Sequence, residues 1–471
     1  MVSQRYFPFL RPIALGVAAL VLTGCATFSQ DGGLDTVSAM TKERTGQSVQ
    51  FSRPGSNTES VDNSVNQLLS KPLNPDTAIQ VALMNNKNLQ ASLAELGIAE
   101  ADFVQAGRMR NPSLSFGRMA GGGEVEIERS IMFDIIGLLT IPVRSDIEGR
   151  RFEQAKLQAA SQAVRLASDT RKAFFSAVAA QQTVQYTEQV RSAAEASAEL
   201  ARRMAQVGNF SKLDQAREQA FYADATAQIA RAKHNATVAR EQLSRLMGLW
   251  GQKTAFKLPD RLPDLPKNPD TINDIESQAM QQRLDVQMAK RDTEMTASAL
   301  GLSRATGFIN VLHAGYVNKS TNDAPRENGY EIELELPIFD WGRSRTWKAE
   351  AIYMQSVHRT AYTAIRARSE VREAYSAYQT SYDLAKHYRD EVVPLRKKIS
   401  DEMLLRYNGM LVGVFELLAD SRAQITSVNT AIEAQRDYWL AETDLQAAIN
   451  GTGGASTSMR GQASGEAAQA H

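Results

Sequence analysis

One cysteine, five histidines and short runs of alternating glutamates are the residues of this 471-residue chain whose types and spacing could do chemistry. The cysteine ends Leu22-Thr23-Gly24-Cys25. Arg5 and Arg11 precede an apolar stretch, Ile13 to Leu22, that is too short for a stable membrane anchor and reads as a secretory signal. Small residues before the thiol suit a signal peptidase, and the thiol can accept a diacylglycerol before cleavage. The spacing therefore assigns Cys25 to lipidation and residues 1–24 to a lipoprotein signal peptide. A lone cysteine also excludes a disulfide framework, a multi-thiolate zinc site and an iron–sulfur cluster made by one chain.

The histidines, His234, His313, His358, His387 and His471, are scattered. Neither an HExxH pair nor a GxSxG turn is present, so no catalytic residue, no metal site and no cofactor is expected. Met84, Met204, Met280, Met288 and Met295 fall on expected helices and read as core or groove fillers before soft-metal ligands. The glutamates are more informative. In Tyr330-Glu331-Ile332-Glu333-Leu334-Glu335-Leu336 the apolar side chains fall on one strand face and Glu331, Glu333 and Glu335 on the other. That acidic face could line a water-filled lumen and favour cations, or simply be solvated. Val125-Glu126-Ile127-Glu128 repeats the pattern.

Composition narrows the class. With 53 Lys+Arg against 53 Asp+Glu, the chain lacks the excess positive charge that nucleic-acid binding by counterion release requires, so no nucleic-acid partner is expected. After the signal, no apolar run approaches the length of a helical span, so further membrane contact must come from strands or from lipid.

Stepping along the chain, residues 25–73 read as a lipid-anchored extended tether, because Ser, Gly, Asn, Asp and Thr are frequent and periodicity is weak. From about residue 74 the order of elements occurs twice, giving repeats at 74–262 and 263–451 and a low-complexity tail at 452–471. A helix over about 76–108 corresponds to one over about 273–306. Strands follow at Ser113–Met119 and Val125–Met132, joined by a hairpin at Gly121-Gly122-Gly123, and at Phe308–Val317 and Tyr330–Pro337. Phe133-Asp134 echoes Phe339-Asp340 at a spacing one residue different, which calls for a bulge in one copy.

Each repeat ends in two helices. The outgoing ones, about Ser145–Val207 and Arg343–Asn408, are roughly 95–100 Å long at 1.5 Å per residue, and the returning ones cover about Ser211–Gly248 and Gly413–Asn450. The short helix and the returning helix of a repeat together match the length of the outgoing one, so the two would stack end to end along it. Helices this long must pack in a coiled bundle. Four strands cannot close a membrane barrel, and an open sheet edge is not tolerated in lipid, so several chains must share one barrel.

From about residue 74 to 450 the sequence resembles the TolC-type outer-membrane efflux family. The resemblance rests on Asn111-Pro112 before the first strand, on Pro337-Ile338-Phe339-Asp340-Trp341-Gly342-Arg343 before the second long helix, and on two paired turns. Setting Gly208 against Met410 in those turns also sets Ser211 against Gly413 and Asp214 against Glu416. The resemblance implies a mainly α fold with a small β part. Long antiparallel helices would form a periplasmic α-barrel, and four strands per chain a trimeric transmembrane β-barrel.

It also implies passive conduction in the outer membrane of a Gram-negative bacterium. The partners would be a periplasmic adaptor, an inner-membrane efflux pump and outer-membrane lipid, and the cargo drugs, metal ions or other small molecules. By position, the adaptor would dock at Val207, Gly208, Asn209, Phe210 and Ser211 of one turn and Met410, Leu411, Val412 and Gly413 of the other. The periplasmic gate would involve Tyr407, Glu416, Asp214 and Asp420. The sequence departs from the family here, with Val412 where relatives carry an arginine and Ala419 at a further acidic position. A non-conducting periplasmic coiled-coil lipoprotein scaffold is the alternative, and would not need four amphipathic strands; a periplasmic hydrolase ranks below both.

Overall fold

The computed structural model describes residues 27–51, 58–269, 274–306, 311–335, 338–339 and 341–453. Cys25, the expected signal peptide and residues 454–471 lie outside them, as do 307–310, 336–337 and Asp340. The chain divides into two compact units, one of Met1–Thr36, Leu93–Ala159 and Val286–Thr363, the other of Val37–Ser92, Ala160–Asp285 and Ala364–His471.

The first unit holds one antiparallel sheet: β1 (Ser113–Gly121), β2 (Glu124–Asp134), β3 (Leu312–Thr321) and β4 (Glu327–Leu334), in that order. Registers run without interruption, from Ser113↔Met132 to Gly121↔Glu124, from Glu126↔Thr321 to Asp134↔His313, and from Leu312↔Leu334 to Lys319↔Glu327. The expected bulge is therefore absent from the paired registers. The one-residue difference falls after β4, because Glu335 lies beyond the strand.

Long helices flank the sheet. Helix α4 (Lys87–Ala106) leads into β1, α5 (Ile135–Gln206) leaves β2, α8 (Leu284–Ala305) precedes β3 and α9 (Arg343–His387) follows β4. Helix α5 starts ten residues earlier than expected, directly at the strand end, where Asp134 Oδ1 accepts the Gly137 N–H at 2.6 Å. A Cβ at Gly137 would sit 2.2 Å from Asp134 Oδ2, so that cap requires glycine. Gly137 and Pro142 hid the helix in the sequence, since both disfavour a helix interior. Within this unit α8 meets α9 through hydroxyls: Thr293 Oγ1 lies 2.8 Å from Thr360 Oγ1, and Thr296 Oγ1 2.8 Å from Ser356 Oγ.

The second unit corrects the extended tether. Helices α1 (Leu34–Thr45) and α2 (Thr58–Leu69) form within it, and Val37, Thr41, Val49 and Val65 are buried. The apolar positions Val61, Val65, Leu68 and Leu69 recur at helical spacing under a polar composition, and α2 packs on the core of Ala78, Val81, Phe174, Val178, Leu243 and Met247.

Each expected short helix is broken in two: α3 (Pro75–Asn85) meets α4 at Asn86, and α7 (Ile275–Gln282) meets α8 at Arg283. Both junction residues are extended, at φ −65°, ψ 117° and φ −60°, ψ 121°. Both reach the last carbonyls of a returning helix, where the helical ladder runs out. Asn86 Nδ2 donates to Leu246 O of α6 (Lys212–Leu246) at 2.9 Å, with Asn85 Nδ2 on Met247 O and Gly248 O. Arg283 Nη1 donates to Ala448 O of α11 (Val414–Asn450) at 2.9 Å. Thr452 and Gly453 also fold back onto Ala447 O, so the described start of the expected tail belongs to this cap. The second outgoing helix runs through a π turn, Tyr388–Val392, into α10 (Val393–Asn408). Pro394 follows that turn and has no N–H for the helical ladder.

Candidate functional site

The ladder sorts the sheet's side chains into two faces, because directly paired residues share a face. One carries Leu114, Phe116, Ile131, Phe133, Tyr316, Tyr330, Ile332 and Leu334. Its charges, Arg118 and Arg129, sit toward the hairpin end, where Arg129 Nη1 donates to Asn318 Oδ1 at 3.0 Å. The other face carries Glu124, Glu126 and Glu128 of β2 and Glu327, Glu331 and Glu333 of β4, with Lys319 and His313 of β3 between them. Lys319 Nζ is 2.6 Å from Glu126, and His313 Nδ1 is 3.1 Å from Glu333. Glu331 and Glu333 thus share a face with three glutamates of β2, whereas Glu335 follows the strand. Apolar side chains are exposed on the first face, Leu114 at 77% and Tyr330 at 87%. Among the described residues, no helix is long and apolar enough to cross a membrane.

In the second unit the long helices reverse at two turns of one geometry. After α5, Gly208 takes φ +80° and Asn209 N–H donates to Met204 O at 2.9 Å; after α10, Met410 takes φ +59° and Leu411 N–H donates to Arg406 O at 2.9 Å. The equivalence of Gly208 and Met410 read from the sequence is thus one of backbone conformation. Glycine adopts it freely, whereas Met410 pays a strain of about 1–3 kcal/mol. Ser211 caps α6, accepting the Asp214 N–H at 3.1 Å and donating to Asp214 Oδ2 at 2.6 Å, and Arg217 also reaches Asp214. Glu416 Oε2 accepts the Gly413 N–H at 3.3 Å. The turns are apolar and open: Val207 is 71% exposed, Met410 94% and Leu411 78%.

Of the gate positions, Asp214 and Glu416 are engaged within their own turns and Tyr407 is half-exposed. Asp420 is buried, and its Oδ2 has no hydrogen-bond partner. An ion pair that sequence reasoning missed lies close by. Glu218 of α6, fully buried, accepts from Ser197 Oγ of α5 at 2.8 Å and pairs with Arg422 of α11 at 3.5 Å. The Arg422 guanidinium also covers the Phe221 ring at 4.3 Å. This clasp joins the two helical hairpins across 204 residues of sequence. Nearer the first turn, Glu199 is held down to about 2 by hydrogen bonds from Arg202 and then Arg203, and so stays ionised at any ordinary pH.

The two-faced sheet and the long helical hairpins each have counterparts in known proteins. Residues 78–249 fit the family model described as outer membrane efflux protein. The chain is 23% identical over 327 residues to the cobalt-zinc-cadmium resistance protein CzcC of Cupriavidus metallidurans, covering 66% of this chain and 70% of that one. Its fold is that of the CmeC outer membrane channel of Campylobacter jejuni, with a TM-score of 0.69 at 16% identity over 86% of this chain and 89% of that one. The MtrE channel of Neisseria gonorrhoeae in its open state gives 0.65 at 16% identity, over 82% and 89%.

Proposed function

We propose that this chain is the outer-membrane duct of a tripartite efflux system, lipid-anchored through Cys25, with three copies closing one barrel. The observation that carries the reading is an inverted helix pair beside the open sheet edges. Helix α9 continues from edge strand β4 and buries hydroxyls against α8, yet leaves Trp347, Ala351, Met354, His358 and Ala361 exposed. Their spacing of four, three, four and three is the seam of a coiled coil. Helix α4, which enters the opposite edge strand β1, leaves Ala94, Ile98, Ala101 and Gln105 exposed at complementary spacing. A free-standing helix hides its apolar stripe. Here both stripes lie beside unpaired edges, so β4 and α9 of one copy meet β1 and α4 of the next. Such a head-to-tail contact closes into a ring.

In this duct the acidic face lines the lumen and favours cations. The relationship to CzcC makes divalent metal ions the first cargo to test, with drugs and other small molecules after them. The pump supplies the energy and the duct conducts passively. The exposed Val207, Met410 and Leu411 form the adaptor-docking end, the retained strain at Met410 being consistent with a role outside folding. Tyr407, Asp214, Glu416 and Asp420 sit at the constriction, where Val412 offers no guanidinium and the Glu218–Arg422 clasp supplies the ionic link between hairpins. Native mass spectrometry of the detergent-extracted protein tests the assembly. A trimer that dissociates in Ile98→Asp or Met354→Asp is expected, and a monodisperse monomer that keeps its sheet would overturn the reading.

A further inference from the structure

Where β2 ends and α5 begins, the acidic sheet face carries donors other than carboxylates. His313 of β3 stands directly between Asp134 of β2 and Glu333 of β4, and its Nδ1 is 3.1 Å from Glu333 Oε2. Asp134 is already engaged, by the Gly137 N–H and by Arg110. The imidazole and Glu333 stay open to solvent, at 35% and 64%.

One step along the same face, Gly315 of β3 stands between Met132 of β2 and Glu331 of β4. A Cβ at Gly315 would collide with Met132 Sδ, so the thioether lies over the glycine, in the space a β3 side chain would fill. Residues two apart on a strand are separated by about 6.8 Å, which puts the sulfur one position along the face from His313. The two donors are 181 residues apart in sequence (132 to 313), so no spacing motif announces them.

We infer that His313, Met132 and Glu333 form a passing site for a soft or borderline transition-metal cation, a station for cargo rather than the seat of a resident metal. The inference rests on the duct reading, in which this face lines the lumen. Donor chemistry commits the occupant. Carboxylates alone suit hard ions such as Mg²⁺ and Ca²⁺, whereas imidazole and thioether are ligands of softer ones. Among the described residues, no three His, Cys, Asp or Glu side chains gather closely enough to hold a metal ion, so the third donor has to be the sulfur. Strength agrees as well. A conducting path needs sites that bind well enough to admit an ion and weakly enough to release it, and a neutral nitrogen, a thioether and one carboxylate make such a site. The unbranched methionine chain lets the sulfur swing onto and off the ion while the strand stays in place.

The test is isothermal titration of the detergent-purified protein with Cd²⁺ in excess Mg²⁺, followed by single-channel recording with Cd²⁺ on the periplasmic side. A single site per chain is expected, weakened roughly tenfold or more in each of H313A, M132L and E333Q. It should be unchanged in His387→Ala, which removes an exposed imidazole 3.2 Å from Glu391. Cd²⁺ should then block the wild-type current, and not that of H313A, at concentrations where Mg²⁺ has no effect. Binding that survives in H313A and M132L, or that Mg²⁺ displaces, would overturn the site and leave the duct standing, with His313 and Glu333 an ordinary ion pair. Binding lost in the variants, without block of the wild-type current, would overturn the passage role and place this face away from the conducting path. A protein that passes no current would overturn the duct reading, and the titration alone then decides the metal site.

Discussion

Replacing Arg283 by methionine should damage the second unit more than any comparable surface change. The guanidinium is wholly inaccessible, with Asp285 at 2.8 Å and Glu370 at 2.6 Å, whose side chains are 16% and 22% exposed. Burial alone would lower its pKa, but Asp285 and then Glu370 outweigh burial and hold it above the ordinary arginine value. Arg283→Met would leave two carboxylates facing each other and take from the Ala448 carbonyl, at the end of α11, one of its two donors, the other being the Gly451 N–H. Breaking a buried pair in this way costs about 3–5 kcal/mol. Arg366, 3.2 Å from Glu370 and 46% exposed, offsets part of that, which sets the expectation near the lower end. The junction between α3 and α4 meets the end of α6 with the neutral amides of Asn85 and Asn86. The charged cluster is therefore one solution among others, and R283M/D285N/E370Q should be less damaging than R283M alone. The assay is urea unfolding of the purified protein at fixed protein concentration, followed by helical circular dichroism. A loss below about 1 kcal/mol for the single variant, or a triple variant worse than the single, would refute the argument.

Four further outcomes follow from the same geometry. Met410→Gly should relieve the left-handed strain and stabilise the second turn by about 1 kcal/mol, while weakening cross-linking to the adaptor; unchanged cross-linking would remove Met410 from the docking end. Arg422→Ala should leave Glu218 buried without its cation and raise channel open probability, and unaltered gating would reduce the clasp to a packing feature. E331Q/E333Q should lower the cation-to-anion permeability ratio measured from reversal potentials, whereas an unchanged ratio would place the acidic face away from the lumen. Cys25→Ser should abolish lipid labelling and leave unprocessed precursor, and normal labelling would sink the lipidation assignment.

What the sequence disclosed depended on range. The Glu/Ile alternation announced its strand because a two-residue period needs no tertiary context, and the turns were legible because Gly208 aligned with a residue that copies its backbone. Helices α1 and α2 were hidden by polar composition, since Val37 and Val65 signal burial only once a core exists to receive them. The breaks at Asn86 and Arg283 were missed because their cause is the end of another helix, more than 150 residues away in sequence. Glu218 and Arg422 were missed for the same reason. The extent of the acidic face became visible only when β2 and β4 were set either side of β3. Exposure supplied what periodicity could not: only the fold shows Ile98 and Met354 uncovered.

The central claim is that copies of this chain share one conducting barrel, and single-channel recording of the purified protein in planar bilayers tests it most directly. Discrete current steps of one unit size, with a larger open fraction in Arg422→Ala, are the predicted result. A membrane-inserted oligomer that passes no current in either form would contradict it and leave the non-conducting scaffold standing.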